Sequence, residues 1–417
     1  MSRLVLAVRL FLAALPPATR RAWGWDLTSA ILAGCYQGCV WTFVLRIARA
    51  DLAATDRQMA FIMVAPAAGY LFATLWARQM EGRAKLPFVY RTWAVARGAF
   101  LLTPFIASRE QFVAMVCLAP FVFSISTPAY TAVMKDIYPD AVRGRCMAIV
   151  RVAAQVSALA VALLAGRVLD AGVDFRAVFF VGGLFGLLSA WAFSRVPVPE
   201  PQPSLEPRVS TAAFMQDTVG ILSRNAGYRW FCASVFVYGF GNLIASTIYP
   251  IYLVDRFQVT NTQVANLQNI GAIVTIAGFF LWGSFLDRRG PLLTVLLCVA
   301  IVCIQPVCYA LAGNMTLIYV AAAAGGLAMS GIEIGYLNTT LLFAEPGRAT
   351  QYQALHSSLF GIRGTIAPFC AIPLMQAIGP RPAFWLSLSI MLVGVAMQVL
   401  SNLHYRRASA ERAARPV

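Results

Sequence analysis

Residues 291–312 read PLLTVLLCVAIVCIQPVCYALA, a stretch without one charged side chain. A helix needs about twenty mostly apolar residues to cross the hydrocarbon core of a bilayer, and this stretch has that length. Comparable apolar stretches recur along the chain, separated by Gly, Pro or clusters of charge. We therefore predict twelve membrane-spanning helices, at 27–48, 58–77, 86–107, 111–134, 146–166, 175–194, 230–254, 262–283, 291–312, 315–343, 354–376 and 382–403.

The composition excludes an ordinary soluble domain. Of 417 residues, 59% are hydrophobic and 12% are charged, against about 25% charged residues in a typical soluble domain. A net charge of +16 would suit a nucleic-acid partner only if the basic residues gathered on one polar face. They form short clusters between apolar runs instead, so the predicted environment is a lipid bilayer and no nucleic-acid partner is expected.

Basic residues are divided unevenly between the two sides that twelve spans create. With a cytoplasmic N-terminus, 23 of the 33 Lys and Arg residues lie in or beside inside segments, eight lie outside, and Arg97 and Arg363 remain deep within spans. Lys and Arg are retained on the cytoplasmic side during insertion. We therefore predict a multi-pass protein of the cytoplasmic (inner) membrane with both termini in the cytoplasm.

The N-terminal segment 1–26 is predicted to be cytoplasmic. Its first residues, Met1 to Leu15, resemble a signal peptide, but Arg9 splits the apolar stretch and no small-residue cleavage site follows. We interpret Met1 to Leu15 as an amphipathic helix at the membrane surface.

A proline-rich segment divides the chain in two. Residues 196–227 open with five prolines and continue with a helical pattern from about Thr211 to Arg224. Proline-rich chain is extended and semi-rigid, as suits a tether. We predict an N-terminal six-helix bundle at 27–195, a cytoplasmic linker at 196–227, a C-terminal six-helix bundle at 228–403 and a cytoplasmic tail at 404–417.

The two halves repeat each other at an offset of about 205 residues. Gly34 and Gln37 of the first span correspond to Gly239 and Asn242 of the seventh. Further pairs, offset by 205 or 206, are Gln58 with Gln263, Ala60 with Ala265, Ala77 with Gly283, Glu81 with Asp287, Arg83 with Arg289, and Tyr130 with Tyr336. An offset that holds through successive helices indicates duplication. Parallel repeats predict a pseudo-two-fold axis along the membrane normal and a site near the midplane.

Two loops resemble those of a known family. The segment Gly283-Ser-Phe-Leu-Asp287-Arg288-Arg289-Gly290 is similar to the loop signature between spans eight and nine of the major facilitator superfamily; its first-repeat copy, Ala77-Arg-Gln-Met-Glu81-Gly-Arg83, is degenerate. Tyr138-Pro139-Asp-Ala-Val-Arg143-Gly-Arg145 resembles the loop between spans four and five. The resemblance covers nearly the whole chain. It implies an all-α integral membrane protein, with twelve transmembrane helices in two pseudo-symmetric six-helix bundles, that transports by alternating access.

The loop residues are candidates for a conformational latch on the cytoplasmic side. A carboxylate at a helix end can hold neighbouring helix N-termini and arginines together, and breaking such contacts would open the inner gate. The alternative is that these are solvated topology charges. The latch candidates are Gly283, Asp287, Arg289, Glu81, Arg83, Arg143 and Arg145.

Ionisable residues deep in the spans are candidates for substrate binding or proton coupling. Glu333 and Arg363 both lie roughly 15 Å deep at about 1.5 Å per residue, on consecutive spans. We predict that they face each other or a shared polar cavity, where Glu333 would accept a proton or Arg363 would hold an anionic group. A buried ion pair without function is the alternative. Arg97 is expected to pack against carbonyls of span two or of a loop rather than against substrate.

Uncharged polar and aromatic side chains near mid-span complete the predicted cavity. Interhelical hydrogen bonding is the alternative role for each of them. They are Gln37, Trp41, Ser124, Thr127, Tyr130, Asn242, Gln268, Asn269, Tyr336 and Asn338.

Other functions find little support in the sequence. There is no phosphate-binding Gly-rich loop ending in Lys-Ser or Lys-Thr and no His-Glu-x-x-His motif, so neither an ATP-driven pump nor an enzyme is expected. The two histidines, His356 and His404, are predicted to be isolated near the cytoplasmic surface, and the nine cysteines are interpreted as small hydrophobic residues. No metal and no cofactor are expected.

The predicted function is therefore secondary active transport of a small organic solute, with the proton as coupling ion and a monomeric chain. The deep Arg363 favours an anionic solute. One alternative is drug or metabolite efflux by proton antiport, although span five lacks the Gly-Pro ending of many such exporters. The other is a non-transporting receptor or assembly protein of the same fold.

Overall fold

The computed structural model describes residues 16–72, 76, 79–80, 83–198, 211–345 and 348–413, except for side chains at 70, 140–141, 144, 211–216, 218, 349–350, 354, 404 and 406–413. All regular secondary structure in these ranges is helical. Met1 to Leu15, predicted to be an amphipathic helix, and Glu81 lie outside the described residues.

Fourteen helices are named here in chain order. They are α1 Pro17–Cys39, α2 Asp56–Leu71, α3 Leu86–Gly98, α4 Arg109–Ile137, α5 Asp140–Asp170, α6 Phe175–Ser194, α7 Thr211–Arg224, α8 Ala226–Phe257, α9 Asn261–Arg289, α10 Pro291–Val302, α11 Ile304–Leu311, α12 Met315–Phe343, α13 Ala349–Ile378 and α14 Pro380–Ala413. After α1 the chain continues through a short helical turn, Val44–Arg46, and a π-helical turn, Ile47–Asp51. The helix predicted in the linker is confirmed as α7.

The membrane character of these helices follows from their length and composition. Ten helical segments of the described residues are long and apolar enough to cross a membrane. Both α2 and α3 are shorter, with 16 and 13 residues. Each predicted span is mostly helical over its described residues, so the apolar stretches identified the helices correctly. Turn residues 40–43 interrupt the first span, and a 3-10 helix, Ala99–Phe105, continues the third.

Two of the differences between the predicted spans and the observed helices have a local cause. The first helix begins at Pro17, ten residues before the predicted start at 27, because proline is suited to the first turn of a helix, where its missing N–H has no partner to lose. The ninth span is interrupted at Cys303 and resumes as α11. Pro306 explains the break, since its ring clashes with the carbonyl four residues earlier, that of Val302.

The chain forms two compact units. Unit 1 comprises the described residues of 1–44 and 72–205, and unit 2 those of 45–71 and 206–417. The linker at 196–227 is thus divided between them, and α2, which precedes most of unit 1 in the chain, packs along α13 in unit 2.

The same pairs of helices pack together in both units. In unit 1, α1 packs against α5 and α6, and α3 against α4 and α6. In unit 2, α8 packs against α13 and α14, and α10 against α12 and α14. These pairs occupy equivalent places in the two repeats, so the repeat in the sequence is also a repeat in packing.

Candidate functional site

Arg363 lies at the centre of a buried polar cluster in unit 2. The side chain projects from the middle of α13 and is 5% exposed. Its Nη1 donates a hydrogen bond to the carbonyl oxygen of Val235 on α8, and its guanidinium carbon lies 5.2 Å from the ring centre of Phe360. Among the described residues it forms no ion pair, and its Nε has no hydrogen-bond partner. A buried guanidinium is thus left with an unused donor.

Tyr336 and His356 complete this cluster. The Tyr336 hydroxyl lies close enough to the Arg363 guanidinium to interact with it electrostatically. Its ring centre lies 5.0 Å from that of His356, which stacks on Phe231 with centres 6.3 Å apart. His356 is two helical turns before Arg363 on the same face of α13, and it is 9% exposed. The prediction of an isolated surface histidine was therefore wrong.

Gly239 makes room for the Arg363 guanidinium. A Cβ atom at Gly239 would overlap Nη1, Cζ and Nε of that side chain. Gly34, the equivalent glycine of the first repeat, similarly faces α5, where a Cβ would meet Ser157 Oγ at 2.8 Å. Ser157 and Arg363 are themselves 206 positions apart. Each repeat thus places a glycine against the same position of its fifth helix, and only the second repeat carries a charge there.

Glu333 lies in a different environment from Arg363. Its side chain is exposed on α12, whereas Arg363 is buried, and no contact joins the two among the described residues. Buried Ile332 and Gly335 flank it on the helix. The structure thus brings Tyr336, rather than Glu333, to the guanidinium.

Unit 1 holds a second buried arginine, Arg97, inside an aromatic enclosure. Its guanidinium carbon lies 4.1 Å from the ring centre of Trp93 and 5.8 Å from that of Tyr36, and Nη1 donates to the hydroxyl of Ser189. Trp41 Nε1 donates to the Tyr36 hydroxyl at 2.9 Å. The expected carbonyl partners of Arg97 are absent among the described residues, because aromatic faces surround the cation instead.

The remaining cavity candidates are dispersed. Tyr130 packs against the rings of Trp93 and Phe193 in unit 1, with centres 5.7 and 5.9 Å away. Asn338 donates a hydrogen bond of 2.8 Å to the carbonyl of Ile334 in its own helix. Gln37 and Gln268 are exposed, Asn242 and Thr127 are half-buried, and Asn269 and Ser124 are buried.

The latch candidates are largely exposed. Asp287 and Arg289 are exposed at the end of α9 and form no ion pair with a described residue, and a Cβ at Gly283 would meet nothing within 4 Å. Arg143 is half-buried and donates to the carbonyls of Lys135 and Tyr138 at 3.2 and 3.0 Å, while Arg83 and Arg145 are exposed.

Sequence reasoning missed two sets of charged residues. Arg49 forms ion pairs with Asp56 and Asp255 within unit 2; Arg49 was considered only as one of the eight basic residues on the outer side, and the two aspartates were not among the candidates. Asp26 is 3% exposed on α1. It was overlooked because the first span was started at residue 27; the acidic residue inside the apolar-aromatic run Trp23-Gly-Trp-Asp-Leu was the available signal.

Comparison with known families and structures identifies the fold. The family model described as Major Facilitator Superfamily matches residues 27–233 and again 230–416. A comparison with curated protein sequences finds no match.

Solved structures similar to this chain are membrane transporters. A bacterial homolog of the human lysosomal transporter Spinster, inward-facing and unoccupied, has a TM-score of 0.65 at 15% identity, covering 93% of this chain and 98% of that one. The nucleoside transporter NupG, as its D323A mutant, has a TM-score of 0.72 at 11% identity, covering 91% and 99%. Identities this low bear on the fold alone. The predicted all-α fold with two repeats is confirmed.

Proposed function

The chain belongs to the major facilitator superfamily and is a membrane transporter, and from that premise we propose that it carries a small organic anion by alternating access with the proton as coupling ion. Both termini are proposed to be cytoplasmic, in the inner membrane, because the basic residues gather on that side. The chain is proposed to act as a monomer.

The burial of Arg363 without a carboxylate partner among the described residues is the observation that supports an anionic substrate. A charge inside a membrane protein costs at least about 2.5 to 3.5 kcal/mol on insertion scales, so it requires a partner or a purpose. The described residues supply a carbonyl, an aromatic ring and a tyrosine hydroxyl, but no carboxylate. A guanidinium with a free Nε matches a carboxylate or phosphate oxygen in geometry and charge. The Tyr336 hydroxyl is a second donor beside it.

The other predicted residues keep their proposed roles in the cycle. Glu333 is one of two candidates for the proton acceptor, the other being the buried acid argued for in the next subsection. The loop pair Asp287 and Arg289 is proposed as a latch that forms in another state of the cycle. Their exposure in this structure is compatible with groups that change partners between states. The half-buried and buried polar residues Asn242 and Asn269 are proposed to line the substrate path.

The anion proposal can be tested before the substrate is known. Purified protein would be screened for thermal stabilisation by small carboxylates and organophosphates, each paired with its neutral amide or alcohol. We expect only charged members to stabilise the protein. Arg363→Gln should weaken that binding roughly ten- to hundredfold, since a hydrogen bond to a charged group contributes about 1.5 to 3 kcal/mol. Arg363→Lys should retain part of it.

A matched control is Arg381→Gln. Arg381 donates to the Tyr252 hydroxyl and to the Ala312 carbonyl, both at 3.3 Å, at the far end of unit 2. Equal losses of anion binding in the two variants would mean that Arg363→Gln weakens binding by destabilising the protein. Stabilising anions would then be tested for saturable, uncoupler-sensitive uptake into proteoliposomes; binding without flux would contradict transport and favour a receptor.

A further inference from the structure

A second buried ionisable group, Asp26, lies in unit 1, far along the chain from the Arg363 cluster. The Tyr138 hydroxyl donates a hydrogen bond of 2.7 Å to its Oδ2. Asp26 is 3% exposed and Tyr138 is 1% exposed, so both ends of this hydrogen bond are enclosed by protein. Tyr138 lies between α4 and α5, in the segment 138–145 whose resemblance implies a role in conformational change.

Asp26 has no direct cationic partner in the part of the chain that the structure describes. Among the described residues it forms no ion pair, and its hydrogen bond to Tyr138 is its one side-chain hydrogen bond. Titratable neighbours that interact with it electrostatically are Tyr130 of α4, Tyr138, and Cys146 of α5. Charged side chains one contact further away, through Tyr130 or Tyr138, are Arg97, Arg143 and Arg151. An unpaired buried carboxylate is costly, and binding a proton removes that cost.

A cavity gives Asp26 a route to water. A cavity of about 470 Å³ at this end of unit 1 is lined by residues that include Thr19, Ala22, Tyr138 and Arg143. Thr19 and Ala22 precede Asp26 by two turns and one turn on the same face of α1. The volume holds on the order of ten water molecules. Tyr138 both lines the cavity and binds Asp26, so it connects the cavity wall with the carboxyl group.

Polar contacts continue beyond Asp26 along the same helix face. Ser29, one turn later on α1, exchanges hydrogen bonds with Ser189 of α6: each hydroxyl donates to the other residue's carbonyl at 2.9 Å. Ser189 also accepts a hydrogen bond from Arg97. A change of charge at Asp26 would therefore act next to a buried hydrogen-bond network that ends at a cation, rather than in apolar surroundings.

We propose that Asp26 is the site at which the coupling proton binds, reached from the cavity through the Tyr138 hydroxyl. A hydronium ion in the cavity gives a proton to Oη of Tyr138 and leaves a water molecule, while the original Oη–H bond breaks and an O–H bond forms at Oδ2 of Asp26. Tyrosine is restored, the carboxylate becomes a neutral acid, and one positive charge has moved inward. The coupling role rests on the transport function proposed above; the protonation itself does not.

Infrared difference spectroscopy of the purified protein tests the protonation without any substrate. The probe is the carbonyl stretch of a buried protonated carboxyl group, followed while bulk pH is changed. We expect a band that Asp26→Asn abolishes and that Tyr138→Phe shifts to higher frequency, because the Oδ2–H group of the protonated acid loses the Tyr138 oxygen as its hydrogen-bond acceptor. Asp174→Asn, at an exposed acid on α6, should leave the band unchanged.

The rival site is Glu333. A band that disappears in Glu333→Gln and persists in Asp26→Asn overturns the proposal, as does the absence of any protonated buried carboxyl band. If Asp26→Asn fails to fold, Tyr138→Phe decides: an unshifted band in that variant also overturns it.

Flux measurements separate this proposal from the proposed function. Asp26→Asn should keep the anion-dependent stabilisation that relies on Arg363 and the exchange of anion across the membrane, but lose sensitivity of uptake to an uncoupler. If anion uptake by Asp26→Asn remained sensitive to the uncoupler, Asp26 would not be the coupling site. If the wild-type protein bound no anion but showed the Asp26 band, the proposal of anion transport would be contradicted, while the protonation of Asp26 would be supported.

Discussion

Arg49 binds Asp255 through two hydrogen bonds, Nε to Oδ1 at 2.9 Å and Nη2 to Oδ2 at 2.6 Å, although the residues are 206 positions apart. In this region of the chain the repeat offset is 205, so Arg49 corresponds to Val254, and its ion-pair partner Asp255 is the next residue of α8. Arg49 Nη1 lies 3.0 Å from Asp56, whose other oxygen accepts from Gln376 at 2.8 Å. These contacts fasten the start of α2 to the ends of α8 and α13 within unit 2.

Removing either partner should loosen this end of unit 2, which is the outer face in the proposed topology. The side chains of Arg49 and Asp255 are 21% and 47% exposed, so solvent screens the pair and it contributes up to about 1 kcal/mol. Arg49→Gln and Asp255→Asn should each speed thiol labelling of Val259→Cys, in a variant without native cysteines, by up to about fivefold. The label is a membrane-impermeant reagent added outside.

The double variant should label no faster than Arg49→Gln alone, because that substitution already breaks the pair with Asp255. Arg57→Gln is the matched control: Arg57 is exposed near the start of α2 without an ion pair to a described residue. Additive rates would show that Arg49 and Asp255 act independently, and labelling from the inside alone would reverse the proposed orientation.

A methyl group at Gly239 should disturb anion binding more than stability. The Cβ of Gly239→Ala would overlap the Arg363 guanidinium, which must move and give up the Val235 carbonyl. Overpacking costs about 1 to 3 kcal/mol, and because the displaced atoms are the end of a flexible side chain, the lower part of that range is expected. Thermal unfolding with and without a stabilising anion measures both effects.

Gly283→Ala supplies the comparison, since nothing lies within 4 Å of its Cβ and its unfolding should change by no more than about 0.5 kcal/mol. An unchanged anion response in Gly239→Ala would contradict the placement of Arg363 in the binding site.

The linker helix α7 should detach at acidic pH. Asp217 accepts hydrogen bonds from Arg224 at 2.6 Å, from Arg348 and from Gln351 at 3.2 Å, and the Arg224 and Arg348 hydrogen bonds lower the pKa of this carboxyl. A lowered pKa means that the contacts stabilise docking in full above the ordinary aspartate range, near pH 4, and lose that contribution as pH falls through the lowered value.

Hydrogen exchange of α7 as a function of pH measures this detachment. Asp217→Asn should exchange at neutral pH as the wild type does in acid. Glu345→Gln is the control, because Glu345 binds Arg348 at 2.9 Å without contacting α7 among the described residues. If α7 were equally poorly protected from hydrogen exchange in both variants, its docking would depend on Arg348 alone and not on Asp217.

The positions of the helices could be predicted from the sequence more accurately than the directions in which their side chains point. Apolar length alone located the stretches that became α8 or α12, because about twenty apolar residues have few alternatives to a spanning helix. A side chain's direction is harder to predict, since an error of one residue turns it by about 100°. Glu333 and Tyr336 are less than one turn apart, yet only Tyr336 reaches Arg363.

Partners that are remote in sequence were the hardest to predict. The donor–acceptor pair of Tyr138 and Asp26 spans 112 positions, and no local pattern connects a loop tyrosine with an acid in the first helix. The Arg49 and Asp255 pair is also remote, with its members 206 positions apart and no local pattern to connect them. The cluster at Arg363 was foreseen as a deep charge, while its aromatic surroundings depend on how α8, α12 and α13 pack.

Glu333 and Arg363 should act independently. No contact joins them among the described residues: Glu333 is exposed on α12, and Arg363 binds Val235 and lies beside Phe360 and Tyr336. Residues without a shared partner usually show additive effects within about 0.3 to 0.5 kcal/mol. A double-mutant cycle of Glu333→Gln and Arg363→Gln, read in thermal unfolding without ligand, should therefore give a coupling energy no larger than that. A coupling energy above about 1 kcal/mol would show that an ion pair between these side chains is populated in solution. The binding site would then offer the substrate a neutralised pair instead of a free guanidinium, and the case for an anion at Arg363 would fail.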